Sequence, residues 1–143
     1  RVEIYQYVGD EAVLSWRTED GIVNGNCIHV YFDFVDALKE KSKYYMDTYG
    51  FVPEFKAGVN IGPVTVAEVG VLKRDIAFHG DAIIVASRIE GKCNEFQKGL
   101  LVSEALKNFI NADPLLSYQK IGSLQLKGKN HEVGIYDVER ITA

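Results

Sequence analysis

Cysteine is scarce in this chain. The two present, Cys27 and Cys93, stand far apart with no Cys-x-x-Cys spacing and no histidine pairing, which argues against a zinc site and against a disulfide framework. A reduced, cytoplasmic setting fits such usage. Clustered positive charge is lacking too. The net charge is -4 and the sequence pI about 5.4, with Lys and Arg scattered rather than gathered in a stripe, so no nucleic-acid partner is expected and any phosphate site must be local. No apolar run approaches membrane-spanning length, nothing resembles a signal peptide, and no repeat, low-complexity tract or linker interrupts the chain. Arg1 opens directly onto strand-like sequence without an initiator Met, which leaves room for an upstream regulatory or membrane-anchoring segment.

What is present is a globular composition. Hydrophobic residues make up 47% of 143 residues, enough for one core, and positions 1–143 are expected to form a single domain. Val2 to Val8 and Glu11 to Trp16 are rich in Val, Ile, Tyr and Trp and flank Gly9-Asp10, the pattern of a β-hairpin with Asp10 at its tip. Arg17 to Gly25 is expected as a loop. From Ile28 through Tyr31, Phe32, Val35 and Leu38 to Tyr49, apolar residues recur at helical spacing, predicting one long amphipathic helix stopped by Gly50. Phe55 to Val59 and Val64 to Val69 read as a second hairpin around Asn60-Ile61-Gly62-Pro63, where Gly58 and Gly62 allow close backbone approach or a bulge. A short strand, Ile76 to His79, precedes a buried helix from Asp81 to Phe96. Leu100 to Val102 is a strand, and Ser103 caps a helix over Glu104 to Ile110. Two last strands, Tyr118 to Leu126 and Val133 to Val138, flank Lys127-Gly128-Lys129. This order predicts an α+β fold, helices packed on a mainly antiparallel sheet.

The segment His79-Gly80-Asp81-Ala82-Ile83-Ile84-Val85-Ala86-Ser87-Arg88 carries the most chemistry. Extended sequence stops at Gly-Asp and a helix begins, apolar from Ala82 to Ala86, with Asp81, Ile84 and Arg88 along one side. That burden of apolar residues implies burial on several sides, including against a partner helix. The junction resembles the strand-to-helix motif of class III nucleotidyl cyclase catalytic domains, roughly Gly-Asp-x-x-Asn-x-Ala-x-Arg. The resemblance extends over almost the whole chain and implies a ferredoxin-like fold, with the family's opening strand, which carries its first metal-binding Asp, not visible in these residues.

The resemblance also implies roles. Asp10 matches the second metal-binding Asp, an oxygen ligand suited to Mg2+ or Mn2+, with two ions per site. Arg88 matches the arginine that stabilises charge on the α-phosphate, and one of Lys127 and Lys129 matches a lysine for the terminal phosphates. Gln6 and Ala77 stand at the base-reading positions, four residues before Asp10 and seven before Ile84. Ile84 occupies the family's Asn position and removes an amide that orients the ribose. The implied activity is conversion of a nucleoside triphosphate, ATP by default, to a 3′,5′-cyclic nucleotide and pyrophosphate for signalling. Composite sites would lie between the two chains of a homodimer. A second reading, for which Ile84 and Ala77 speak, is a cyclase-like domain with lost or weakened catalysis that serves in dimerisation or nucleotide sensing. A third reading is a diguanylate cyclase, since Val8-Gly9-Asp10-Glu11-Ala12 echoes that family's hairpin; the helix from Asp81 to Arg88 and the Lys-Gly-Lys turn favour the mononucleotide family.

Overall fold

The computed structural model describes residues 3–8, 11–63, 65–69, 75–79, 81–110, 113–125 and 132–141, with backbone path and pairing alone for 3–8, 65–69, 75–79 and 81. β1 (Glu3–Val8) and β2 (Glu11–Ser15) pair antiparallel from Glu3↔Ser15 to Val8↔Glu11, with an irregularity between Ile4 and Gln6, as the strand-forming residues about Gly9-Asp10 predict. The expected loop that follows is instead a short helix, α1 (Thr18–Ile22), and a 3-10 turn (Val23–Gly25). Glu19 and Asp20 in the first turn of α1 favour it electrostatically.

The long helix is two. α2 (Asn26–Glu40) gives way at Lys41, whose N–H donates to the Leu38 carbonyl at 3.1 Å and tightens the last turn, and α3 (Ser42–Tyr49) resumes. The division follows burial, because α2 sinks Cys27 and Ile28 into the core while α3 buries no residue. Gly50 ends the run as expected, at φ 83°, with its N–H on the Met46 carbonyl.

β3 (Ala57–Val59) does not form the expected hairpin. It pairs in parallel with β6 (Leu100–Ser103), from Ala57↔Leu100 to Val59↔Val102, while β4 (Thr65–Val69) pairs antiparallel with β5 (Asp75–His79). The reason lies at residues 60–62. Asn60 donates to the Ala82 carbonyl and Gly62 packs on the Ala82 methyl, so the chain after β3 is held against the next helix rather than turned back. That helix also divides, into α4 (Asp81–Gly91) and α5 (Cys93–Phe96), with the Lys92 N–H on the Ile89 carbonyl at the break. α6 (Glu104–Phe109) starts as predicted, the Ser103 hydroxyl accepting from the Leu106 N–H at 3.1 Å. β7 (Leu116–Gln125) and β8 (Glu132–Arg140) form the longest antiparallel pair.

The central sheet runs β3-β6-β8-β7, and side-chain alternation gives it two covered faces. Leu100, Val102 and Val138 join Cys27 and Ile28 of α2 and Leu106 of α6. Leu101 and Ile135 point the other way, to Val85 and Ile89 of α4 and Cys93 of α5. An irregularity between Lys120 and Gly122 lets β7 serve both faces, with Leu116 in the first cluster and Leu124 in the second. The predicted α+β class holds, with the β3–β6 pair as the parallel element of the central sheet.

Candidate active site

α4 owes its position to what β3 lacks. A Cβ on Gly58 would collide with the Ala86 carbonyl oxygen and with the Glu90 nitrogen, so the helix backbone rests directly on the strand backbone. Asn60 lies two residues on, its side-chain nitrogen 3.2 Å from the Ala82 oxygen, and a Cβ on Gly62 would be 3.1 Å from the Ala82 Cβ. Gly58, Asn60 and Gly62 therefore form one seat along one side of the extended segment. With Val85 and Ile89 turned inward and buried, the opposite side of α4 carries Ile84, Ser87 and Arg88 outward.

Sequence reasoning expected this helix to be buried on several sides; within this chain it is covered on one. Ile84 is 59% exposed, because β3 and β6 reach only the inner face. Arg88 is exposed as well, yet it is held: its Nη2 donates to the Gln125 carbonyl at 3.1 Å. That bond crosses to the last residue of β7, two positions before Lys127 in the sequence. A guanidinium with one N–H committed to a carbonyl keeps its remaining donors for an anion in a fixed orientation.

Ile84 and Arg88 thus share one outward side, as their spacing predicts. Gln6 lies in β1, Ala77 in β5 opposite Ala67, and Asp75 and His79 also in β5; for these the pairing alone is described. Asp10, Lys127 and Lys129 lie outside the described residues, as does His131. The β1–β2 ladder reaches Val8↔Glu11, the residues that bracket Gly9-Asp10 in sequence, and Glu11 is exposed. Among the described residues no three His, Cys, Asp or Glu side chains converge as a metal cage.

Neither cysteine offers a nucleophile. Both are free and buried, and burial pushes each thiol up to about 11. His29 is engaged at 2.9 Å by Asp113, whose carboxyl the imidazole holds below its ordinary range. Two contributors escaped the sequence reading: Asn60 as part of the helix seat, and the Gln125 carbonyl as the guanidinium's partner. The alternation Gly58-x-Asn60-x-Gly62 is a signal for the first. A backbone carbonyl leaves no sequence signal for the second.

No protein-family model matches the chain. Adenylate cyclase 2 of Rhizobium meliloti (strain 1021) is 27% identical over 132 residues, covering 92% of this chain and 36% of that protein. The adenylate cyclase of Anabaena cylindrica is 33% identical over 92 residues, 62% of this chain and 18% of its own length. Among solved structures, a bacterial light-regulated adenylyl cyclase superposes with a TM-score of 0.79 at 21% identity, covering 99% of this chain and 41% of that one. This is a class III nucleotidyl cyclase fold. The adenylyl cyclase CyaB from P. aeruginosa shares it, with a TM-score of 0.73 at 20% identity over 99% of this chain and 73% of its own. The cyclase fold accounts for the ferredoxin-like order of elements predicted above. The chain spans about a third or less of the length of the curated relatives it matches, and among the described residues no helix is long and apolar enough to cross a membrane.

Proposed function

We propose that this domain is the catalytic unit of a nucleotidyl cyclase that converts a nucleoside triphosphate, ATP by default, to a 3′,5′-cyclic nucleotide. The 3′-hydroxyl oxygen forms a new bond to the α-phosphorus as the bond from that phosphorus to the bridging oxygen breaks, the hydroxyl proton is lost, and pyrophosphate leaves. Charge develops on the α-phosphate oxygens in that step, and a preoriented guanidinium stabilises it. The observation that carries the reading is Arg88, displayed on the outward side of α4 and steadied by the Gln125 carbonyl in a domain of cyclase fold.

Asp10 would hold Mg2+ or Mn2+, two ions per site, which supply charge neutralisation of the triphosphate when bound. Lys127 or Lys129 would meet the terminal phosphates, close in sequence to the carbonyl that steadies Arg88. Gln6 offers the base a donor and an acceptor, whereas Ala77 offers only backbone groups. Ile84 cannot hydrogen-bond a ribose, so the site is electrostatically equipped and loosely oriented. The exposed Ile84 on the outward side of α4 suits association with a second copy, which would complete the site from the other chain.

The test is cyclic nucleotide formation by the full-length protein from ATP, GTP, CTP and UTP, with Mg2+ and with Mn2+. Arg88→Ala is expected to lower turnover about 10²- to 10³-fold, the usual cost of one lost charge-stabilising donor. Ile84→Asn is expected to raise it about tenfold or more by restoring an orienting amide. Asp10→Ala is expected to abolish metal-dependent triphosphate binding. Robust turnover indifferent to Arg88→Ala overturns the assignment of Arg88. Absence of turnover from every triphosphate, even after Ile84→Asn, transfers the reading to a dimerisation or nucleotide-sensing module, which the exposed Ile84 favours.

A further inference from the structure

A cavity of about 580 Å³ opens where the parallel strands β3 and β6 begin, between the second half of α2, residues 52–56 and α5. Neither Ile84 nor Arg88 lines it. Its seat in the fold follows from the two-faced sheet: among the described residues β3 is an edge strand of the central sheet, and at its start α2 from one face and α5 from the other come together with no described strand beyond.

The lining has two chemical halves. Val35 and Leu38 of α2 and Phe55 give an apolar wall. Lys39 of α2, Lys56 just before β3 and Lys98 just before β6 come from three separate segments, against one carboxylate, Glu54, among the described lining residues. Lys98 is 3.2 Å from Asp137 and Lys56 donates to the Asn94 side-chain oxygen, while Lys39 has no partner among the described residues. The remaining ionisable lining groups carry no opposing charge. Tyr31 donates its hydroxyl to the Phe55 carbonyl at 3.2 Å and burial raises its pKa; the Cys93 thiol, within 3.6 Å of the Ala57 carbonyl, stays protonated for the same reason. A positively charged rim over an apolar wall is unexpected in a chain of net charge -4.

We propose that this cavity binds a small organic anion, its acidic group held by Lys39 and Lys56 and its apolar body lying on Val35, Leu38 and Phe55. The volume is within the range of small-molecule sites, and an apolar wall with a few convergent polar groups is their usual composition. An inorganic ion would leave the wall unused; a neutral apolar molecule would leave the ammonium groups unused. An occupant would touch Asn94 and Gln97, on and just after the α5 turn that continues from α4 across Lys92.

The probe is 1-anilinonaphthalene-8-sulfonate, an aromatic body with one anionic group, titrated by fluorescence into the native protein beside its neutral relative N-phenyl-1-naphthylamine. Saturable binding of the sulfonate at one site per chain is expected, weakened about tenfold or more in the Lys39→Glu/Lys56→Glu variant. The neutral probe should change less than twofold between the two proteins. Val35→Trp, which fills the wall, should weaken both probes. Decanoate should displace the sulfonate, and ATP should not. Circular dichroism and thermal unfolding establish that each variant is folded, and Leu38→Trp replaces Val35→Trp if the latter is not. No saturable binding to native protein, undiminished binding to the double lysine variant, or displacement by ATP as effective as by decanoate would each overturn the proposal. The readout is independent of cyclase turnover, so either proposal can fail alone.

Discussion

The two faces of the central sheet are built by different means. On the α2 face the helices are cross-braced by charge. Arg140, at the end of β8, reaches Asp33 at 2.8 Å and also Asp36, with its guanidinium carbon 5.2 Å from the Phe32 ring centre, and His29 meets Asp113. On the other face α4 is positioned by backbone contact on Gly58 and by the Asn60 bond, and its one described guanidinium goes to a carbonyl rather than a carboxylate. The α2 face commits Arg140, Asp33, Asp36, His29 and Asp113 to structure, while the α4 face has an ion pair at Lys98 and Asp137, away from Arg88. The α4 face leaves a cation and an exposed isoleucine facing out, which is what a site completed by another molecule requires.

If that contrast is right, the most damaging substitution is at a residue with no side chain. Gly58→Val is expected to destabilise by about 3 kcal/mol or more in urea unfolding, because the intruding atoms meet helix backbone, which cannot change rotamer. A cost below about 1 kcal/mol would show that α4 is not seated there. Next, Ile28→Ala on one face and Ile89→Ala on the other should each cost about 2–5 kcal/mol, both being fully buried. Ile84→Ala, five residues before Ile89 on the same helix, should cost about 0.5 kcal/mol or less in the isolated chain. A large loss at Ile84 in dilute protein would mean that the outward side of α4 is already covered.

The smallest expected effect sharpens the contrast in charge. The Asp113 carboxyl is held below its reference value of 3.8, chiefly by its hydrogen bond with His29. A depressed folded pKa gives stability that is complete above the unfolded value and is lost as pH falls through the folded one. Wild type should therefore exceed Asp113→Asn in stability at neutral pH, and the gap should close in that acidic window. Unfolding midpoints taken from pH 7 downward measure it. A gap independent of pH would deny the carboxylate its bracing role.

Much of this was legible from residue order because local chemistry and fold agree. Ser103 before Glu104 announced the capped helix, Gly50 the helix stop, and the strands about Gly9-Asp10 the first pairing. The failures came where tertiary contact overruled local pattern. Residues 57–69 have two strand-like runs about a Gly-Pro turn, yet β3 finds its partner in β6, some forty positions away. The unbroken apolar period from Ile28 to Tyr49 concealed a break, since periodicity does not say where a helix leaves the core. At the candidate site, Ile84 and Arg88 were readable from helical spacing, while the seat beneath them involved an asparagine whose partner is main chain.

The contact between Gly58 and α4 also has a mechanical side. Side chains between two elements act as a cushion, since rotamers can shift to take up a small displacement. Between this strand and this helix there is no cushion, only carbonyl and amide against glycine. A displacement of β3 therefore meets the α4 backbone directly, within a turn of Arg88. The guanidinium is thus tied at one end to a helix seated on β3 and at the other to the last residue of β7.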